Sequence, residues 1–264
     1  MVCDKKIPLV HVKGTHLQIG EQIGEAFREQ IQHSIDNARI LIDKAYDQIL
    51  LTWDGASMQS RKYIPFVEEH YPQYIDEMKG IASGANVDYD EICVVNAMEA
   101  VTSDALHLTK CTSIAVNQEC TENNSVLVAH NEDWTPEDEA DVYIIHASPI
   151  DEPSFLAMSY GGLLPNIGFN SCGISQCCDS VYPDDSRIGI PRIIYSRATL
   201  AAQTPADAIR YILVPQRAAG YNHLVVHESG EMYNIETSAR QFSMIYGQEG
   251  RLVHTNFYLD PQMQ

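Results

Sequence analysis

The chain has 264 residues, of which 45% are hydrophobic and 20% charged, enough for one large domain or two small ones with a sizeable core. A formal net charge of −19 excludes a phosphate-backbone partner, because nucleic-acid binding needs clustered Lys and Arg. No apolar run approaches the roughly 18 residues of a membrane span, and no apolar stretch follows Met1–Lys6 as in an export signal, so a cytoplasmic protein without a membrane partner is expected.

Ile7 to Val12 reads as a short strand. Apolar residues then fall at Ile19, Ile23, Phe27, Ile31, Ile35, Ala38, Ile42, Ala45 and Ile49, and this spacing predicts one long amphipathic helix. A second helical stretch covers Ser60 to Ala82, with Pro65 and Pro72 as interruptions, and a third covers Tyr89 to Thr102. From Cys111 onward the pattern changes to strands, at 112–116, 126–129, 142–147, 155–159, 174–178, 223–226, 232–236, 242–245 and 252–255. One helical block, Pro191 to Val214, interrupts them, with Thr204-Pro205 as N-cap and first helical residue. Helices followed by strands predict a layered α+β architecture with a largely antiparallel sheet.

Seven cysteines (3, 93, 111, 120, 172, 177 and 178) form no C-x-x-C pair and no disulfide framework, so they read as reduced thiols, mostly small core residues. Cys111 stands apart. It is followed by two hydroxyl residues and an apolar run, the pattern of a nucleophile at the mouth of a strand. The next strand-like run, Val126 to Ala129, ends in the polar cluster His130-Asn131-Glu132-Asp133-Trp134, and a later one ends in His254-Thr255-Asn256. Asp133 and Asn256 are therefore the partners expected at neighbouring strand ends, since acyl transfer needs an oriented nucleophile and a donor for the developing oxyanion.

Three ways of activating Cys111 stand side by side. A Cys–His pair has ten histidines to draw on, among them His130 and His254. A metal site is the weakest, since His223 and His227 in one strand lie about 13 Å apart. In the third, the chain is cut before Cys111 and the new α-amine acts as base, titrating near pH 7.7–8.0 when unperturbed. No cofactor and no metal are expected. The acidic run 136–141 lacks the ligand pattern of a calcium loop and reads as solvated. The glycines at 20 and 24 fall within a helix, not in a phosphate cradle, and Trp134 and Tyr160-Gly161-Gly162 read as core packing.

Several segments carry a resemblance in fixed order: Val12-Lys13-Gly14, Ile19-Gly20-Glu21-Gln22-Ile23-Gly24-Glu25, Glu77-Met78-Lys79-Gly80-Ile81-Ala82-Ser83-Gly84-Ala85, Cys111-Thr112-Ser113, Asn131-Glu132-Asp133-Trp134, Gly168-Phe169-Asn170-Ser171-Cys172-Gly173-Ile174 and His254-Thr255-Asn256. Over nearly its whole length the chain resembles the acyl-coenzyme A:6-aminopenicillanic acid acyltransferase family, autoprocessing N-terminal-nucleophile proteins related to choloylglycine hydrolases. The resemblance implies a four-layer αββα sandwich. It also implies a precursor that cuts itself between Lys110 and Cys111 into a helical pro-segment or α chain, 1–110, and a β chain, 111–264, held together as a heterodimer within one structural domain. Catalysis would rest on Cys111, Asp133 and Asn256, acting on a small-molecule amide or acyl thioester through an S-acyl-Cys111 intermediate. Homo-oligomers are compatible with this scheme. Members commonly carry Gly where Lys110 stands and often Asn where Asp179 stands; the latter reads here as a solvated loop carboxylate. Members also continue beyond the His-x-Asn motif, so the sandwich is expected to lack late strands. The alternative is an unprocessed, catalytically silent relative that acts as a binding or scaffold protein.

Overall fold

A computed structural model describes residues 6–102 and 110–264; Cys3 and the segment 103–109 lie outside it. In chain order the elements are β1 (Leu9–Gly14), α1 (His16–Ala26), α2 (Arg28–Lys44), α3 (Tyr46–Ile49), α4 (Trp53–Ser60), α5 (Ile64–His70), α6 (Pro72–Ala85), α7 (Tyr89–Asn96) and α8 (Met98–Val101). There follow β2 (Lys110–Val116), β3 (Leu127–Asp133), β4 (Val142–Pro149), β5 (Phe155–Tyr160), β6 (Ile167–Asn170), β7 (Ile174–Asp179), α9 (Arg192–Thr199), α10 (Pro205–Ile212), β8 (Asn222–His227), β9 (Met232–Thr237), β10 (Phe242–Tyr246) and β11 (Arg251–His254). No described helix is long and apolar enough to cross a membrane.

Eight strands form one sheet in the order β1-β4-β5-β6-β7-β8-β9-β10, antiparallel throughout except where β1 runs parallel to β4. Three strands form a second sheet, β11-β2-β3. The inward side of the second sheet, through Ala115 and Leu252, packs on Cys177, Leu224, Val226 and Met232 of the first. The main apolar core lies on the other face of the large sheet, where Ile19, Ile23 and Ile31 meet Tyr143, Ile145 and Ala157. The result is the α+β sandwich expected from the sequence. On the outward side of the small sheet Ile114, Leu127 and Val253 are exposed.

The long helix expected over residues 19–49 is three helices. Phe27 leaves helical geometry at φ −123°, ψ 29°, and its ring stacks on Tyr143 of β4 with centroids 3.9 Å apart. Packing against the sheet thus overrides a periodicity that runs on unbroken, and Ala45 makes the second interruption. Pro72 opens α6, as proline at a first helical position should, and Thr204 caps α10 by accepting from the Asp207 N–H. The strand β6 had no alternating signal. Asn170 at its end accepts from the N–H groups of Cys172 and Ile174 and donates to the carbonyls of Leu200 and Ala202. That makes Gly168-x-Asn170-x-x-Gly173 a turn that ties the β6–β7 hairpin to the helices over it.

Glycines 20 and 24 of α1 face glycines 80 and 84 of α6. A Cβ built on Gly20 would stand 2.1 Å from the Glu77 carbonyl oxygen, and one on Gly80 would stand 2.2 Å from that of Leu17. The two backbones are thus in direct contact, which leaves no room for any side chain. Beneath this pair lies a buried ion cluster. Arg197 donates to both carboxylate oxygens of Glu77 at 3.1 and 3.0 Å and to Glu152 at 3.1 Å, while His16 Nδ1 meets Glu77 at 2.7 Å. Arg197 sits on α9, with Glu77 on α6 and His16 on α1, so the cluster clamps the N-terminal helices to α9.

Burial would lower the His16 pKa, but bonds to Glu152 and Glu77 outweigh it and raise it from 6.5 to about 9. Burial would raise Glu152, but the Arg197 charge and His16 outweigh it and lower it from 4.5 to about 2. The His16 contribution to stability is therefore complete below pH 6.5 and lost as pH rises through about 9; that of Glu152 is complete above 4.5 and lost toward about 2. Urea melts of wild type should weaken between pH 6.5 and 9, and His16→Gln should flatten that limb. Gly20→Ala should destabilise by about 1–3 kcal/mol or more, the ordinary range for overpacking, with Gly55→Ala, where the added Cβ meets only the side chains of Leu51 and Thr52, as the mild comparison.

Candidate functional site

Alternation along β2 points Cys111, Ser113 and Ala115 toward the large sheet and leaves Lys110 and Ile114 outside. Antiparallel pairing with β3 sets Cys111 opposite Glu132, Ser113 opposite His130 and Lys110 opposite Asp133. On its other side β2 pairs with β11, where His254 lies opposite Ser113. Two residues past β11, Asn256 folds back over the start of β2. Its Oδ1 accepts from the Cys111 backbone N–H at 2.8 Å, and its Nδ2 donates to the Ser180 carbonyl at 2.9 Å. One amide thus ties the Cys111 backbone to the end of β7 on the opposing sheet.

Of the three expected residues, Cys111 and Asn256 meet. Asp133 stands beside Lys110, exposed, with its carboxylate on Asn131 Nδ2 at 2.7 Å. Glu132 is the carboxylate at the thiol, with Cys111 Sγ donating to its Oε2 over 3.6 Å. The same carboxylate meets His130 Nε2 at 2.9 Å and accepts from Tyr160 OH at 3.3 Å. Residues 130 and 132 share one face of β3, and 131 and 133 the other. Four consecutive polar residues conceal which pair faces the interior, so the sequence offered no signal for Glu132 over Asp133.

Asp179 is a correction. It is fully buried at the end of β7, not in a solvated loop. It accepts from Ser113 Oγ at 2.8 Å and from Asn222 Nδ2 at 2.9 Å, with His254 Nδ1 at 3.7 Å. Ser113 Oγ in turn meets His130 Nδ1 at 2.9 Å, so a chain of polar contacts runs from Asp179 through Ser113 and His130 to Glu132 and Cys111. Below it, His254 Nε2 meets Glu236 at 2.8 Å, and Glu236 also accepts from the backbone of Asp260 at 3.1 Å. The two histidines therefore differ: His130 is joined to the thiol's partner, whereas His254 is enclosed by carboxylates.

Burial, the Glu132 charge and the Asp179 charge all hold the Cys111 thiol well above the ordinary range, so the uncharged thiol is the resting form. Burial likewise lifts Asp179 despite its bonds to Asn222 and Ser113. A thiol in this setting becomes a nucleophile only if a base takes its proton during attack.

Beside Glu132 a cavity of about 170 Å³ opens, lined by Trp134, Tyr160, Leu163, Ile167, Ile193 and Tyr221 and closed from the helical side by Ala38, Leu41 and Met98. Trp134 and Tyr160 thus line a pocket rather than a core. The acidic run is solvated only in part: Glu137 and Glu139 are exposed, whereas Asp138 and Asp141 are buried. Asp138 accepts from Ser34, Asn37, Trp134 and Thr135, and Asp141 meets His33 at 2.6 Å, fixing the pocket wall to α2. Glu99, deeper in the wall, is ion-paired with the buried Arg192, whose guanidinium stacks 4.1 Å over Tyr221. Every described cysteine is a free thiol.

Curated relatives include a β-alanyl-dopamine/carcinine hydrolase of Drosophila melanogaster, 26% identical over 78% of this chain and 57% of its own length. Another is the 40 kDa form of the acyl-coenzyme A:6-aminopenicillanic-acid-acyltransferase of Emericella nidulans, 25% identical over 95% of this chain and 70% of its own. Among solved structures, a penicillin V acylase from Agrobacterium tumefaciens aligns at 13% identity with a TM-score of 0.31, over 55% of this chain and 44% of that one. The chain thus spans little more than half the length of the Drosophila protein. A family model described as acyl-coenzyme A:6-aminopenicillanic acid acyl-transferase matches residues 120–264, more than half of the chain and beginning nine residues after Cys111. The chain belongs to that family.

Proposed function

We propose that the chain is an autoprocessing N-terminal-nucleophile enzyme that hydrolyses or transfers acyl groups through Cys111. The observation that carries this reading is the meeting of Cys111 with Asn256, 145 residues apart, through the backbone N–H that a cut would turn into an α-amine. In the uncut chain no α-amine exists, so the first proton must go elsewhere, and Glu132 is the carboxylate within reach of the thiol. The thiolate attacks the Lys110 carbonyl, the Lys110–Cys111 C–N bond breaks, and the nitrogen takes the proton. Water then cleaves the thioester and frees Cys111 as an N-terminus, dividing the chain into an α chain of 1–110 and a β chain of 111–264.

In the cut enzyme the α-amine serves as base for the thiol beside it. Asn256 keeps its oxygen toward that amine. Its NH₂ has a second N–H besides the one given to Ser180, which serves the oxyanion of the tetrahedral intermediate. Asp133, one register position away, orients the freed amine once the peptide to Lys110 is gone. The cavity beside Glu132 takes the substrate. Its charged lining is mainly acidic, with Glu99, Glu132, Glu137 and Asp138 against Lys44, which favours small amides that carry an amine. The β-alanyl amides in the Drosophila relative's name are the first to screen. A silent, uncut binding protein is the alternative, favoured by the regular ladder that runs unbroken from Lys110 to Val116.

Purified wild type should run as pieces of 110 and 154 residues, and Cys111→Ala as one uncut chain without acyl turnover. An uncut, unlabelled wild type with an acyl probe would favour the silent reading. Glu132→Gln should slow self-cleavage about 10²–10⁴-fold, the ordinary worth of a general base, read as the half-time of cutting by intact mass. The pieces should co-elute without denaturant, since β1 is paired into the large sheet and Arg197 is bound to Glu77.

A further inference from the structure

Cys111, His130 and Glu132 have a second property, independent of acyl chemistry. Their ligand atoms, Sγ, a ring nitrogen and a carboxylate oxygen, all lie within 4.8 Å of one another. The Sγ···Oε2 separation is 3.6 Å and the Nε2···Oε2 separation 2.9 Å. A tetrahedral zinc with S at about 2.3 Å and N or O at about 2.0–2.1 Å spans about 3.5 Å between ligand atoms. The three groups are therefore near chelating distance, and small side-chain rotations bring them to it.

The surroundings are those of a supported metal site. A metal-bound imidazole is normally fixed by a hydrogen bond at its other ring nitrogen, backed by a carboxylate. His130 has this arrangement: its Nδ1 meets Ser113 Oγ at 2.9 Å, and Ser113 donates to the buried Asp179 at 2.8 Å. With the Ser113 proton given to Asp179, Nδ1 donates to Oγ, and the Nε2 lone pair faces Glu132, where an ion would bind. Ligands from both β2 and β3, in strict register, make the arrangement rigid. Glu132 also lines the 170 Å³ cavity, which gives an ion a way in.

We propose that Cys111, His130 and Glu132 form a three-ligand zinc site, with the fourth position open. Binding replaces the thiol proton, which leaves to solvent, with a Zn–S bond. The sulfur lone pair that an electrophile would attack is then engaged. Where Cys111 serves as proposed above, the bound ion keeps the nucleophile silent; the metal site itself does not rest on that reading.

The test is cobalt(II) as a spectroscopic probe, followed by zinc competition, on the full-length chain whether or not it cuts itself. One equivalent should bind with a thiolate-to-cobalt charge-transfer band and tetrahedral d–d bands, and one equivalent of zinc should displace it. Cys111→Ala should abolish the charge-transfer band. His130→Asn and Glu132→Gln should each weaken binding at least 100-fold, and Ser113→Ala about 10–100-fold, as for a supporting residue. Cys120→Ser, an exposed thiol, should change nothing. Zinc should also slow alkylation of Cys111 by iodoacetamide at least tenfold, a readout that needs no catalysis. No stoichiometric binding by wild type, or binding unaltered by Cys111→Ala, overturns the proposal. Failure of self-cleavage with the cobalt spectrum intact overturns the acyl reading alone.

Discussion

Asp179 is the constraint on which the rest of the site depends. A carboxylate with no exposed surface must be hydrogen-bonded or neutralised, and its partners come from both sheets: Ser113 on one, Asn222 on the other. That requirement fixes how the small sheet sits on the large one. The chain from Asp179 to Ser113, His130, Glu132 and Cys111 then follows, because each group's position is set by the one before it. Breaking such a network at one member leaves others buried and unpaired, which costs more than the lost bond. The polar seam also explains why the second sheet needs so few apolar contacts to be held in place.

The fold was largely legible because strands of this chain alternate and helices keep a 3.6-residue period. Every expected strand is present, and Pro72 and Thr204 mark helix starts as their chemistry requires. What stayed hidden was tertiary. Phe27 breaks a helix because a tyrosine on another element accepts its ring. Gly20 and Gly80 read as ordinary helical residues until the two backbones are seen in contact. The site was legible as far as Cys111 and Asn256, each at a strand end that sequence alone could locate. The choice between Asp133 and Glu132 depends on which face of β3 looks inward, and a run of four polar residues carries no such information. Asp179 escaped for a similar reason: a buried acid and an exposed one look alike until their partners are known.

Charge and fold are linked across the boundary at residue 110. The helical segment supplies Glu77, Glu99 and His16, and the remaining chain answers with Arg197, Glu152 and Arg192. A buried arginine with two carboxylates is strongly destabilised if either partner is removed, so each side of this junction depends on the other. Helices α1 and α6 are therefore integral to the same packed unit as α9 and the strands around it.

The contact between Cys111 and Asn256 has a consequence for the order of events during synthesis. Cys111, His130 and Glu132 leave the ribosome close together, whereas Asn256 follows only after β8, β9, β10 and β11. A stalled or truncated nascent chain holds the thiol and its acidic neighbour but lacks the amide that binds the thiol's own backbone. The surroundings of the thiol are therefore completed only after β8 to β11 and Asn256 have been made, well after the thiol itself.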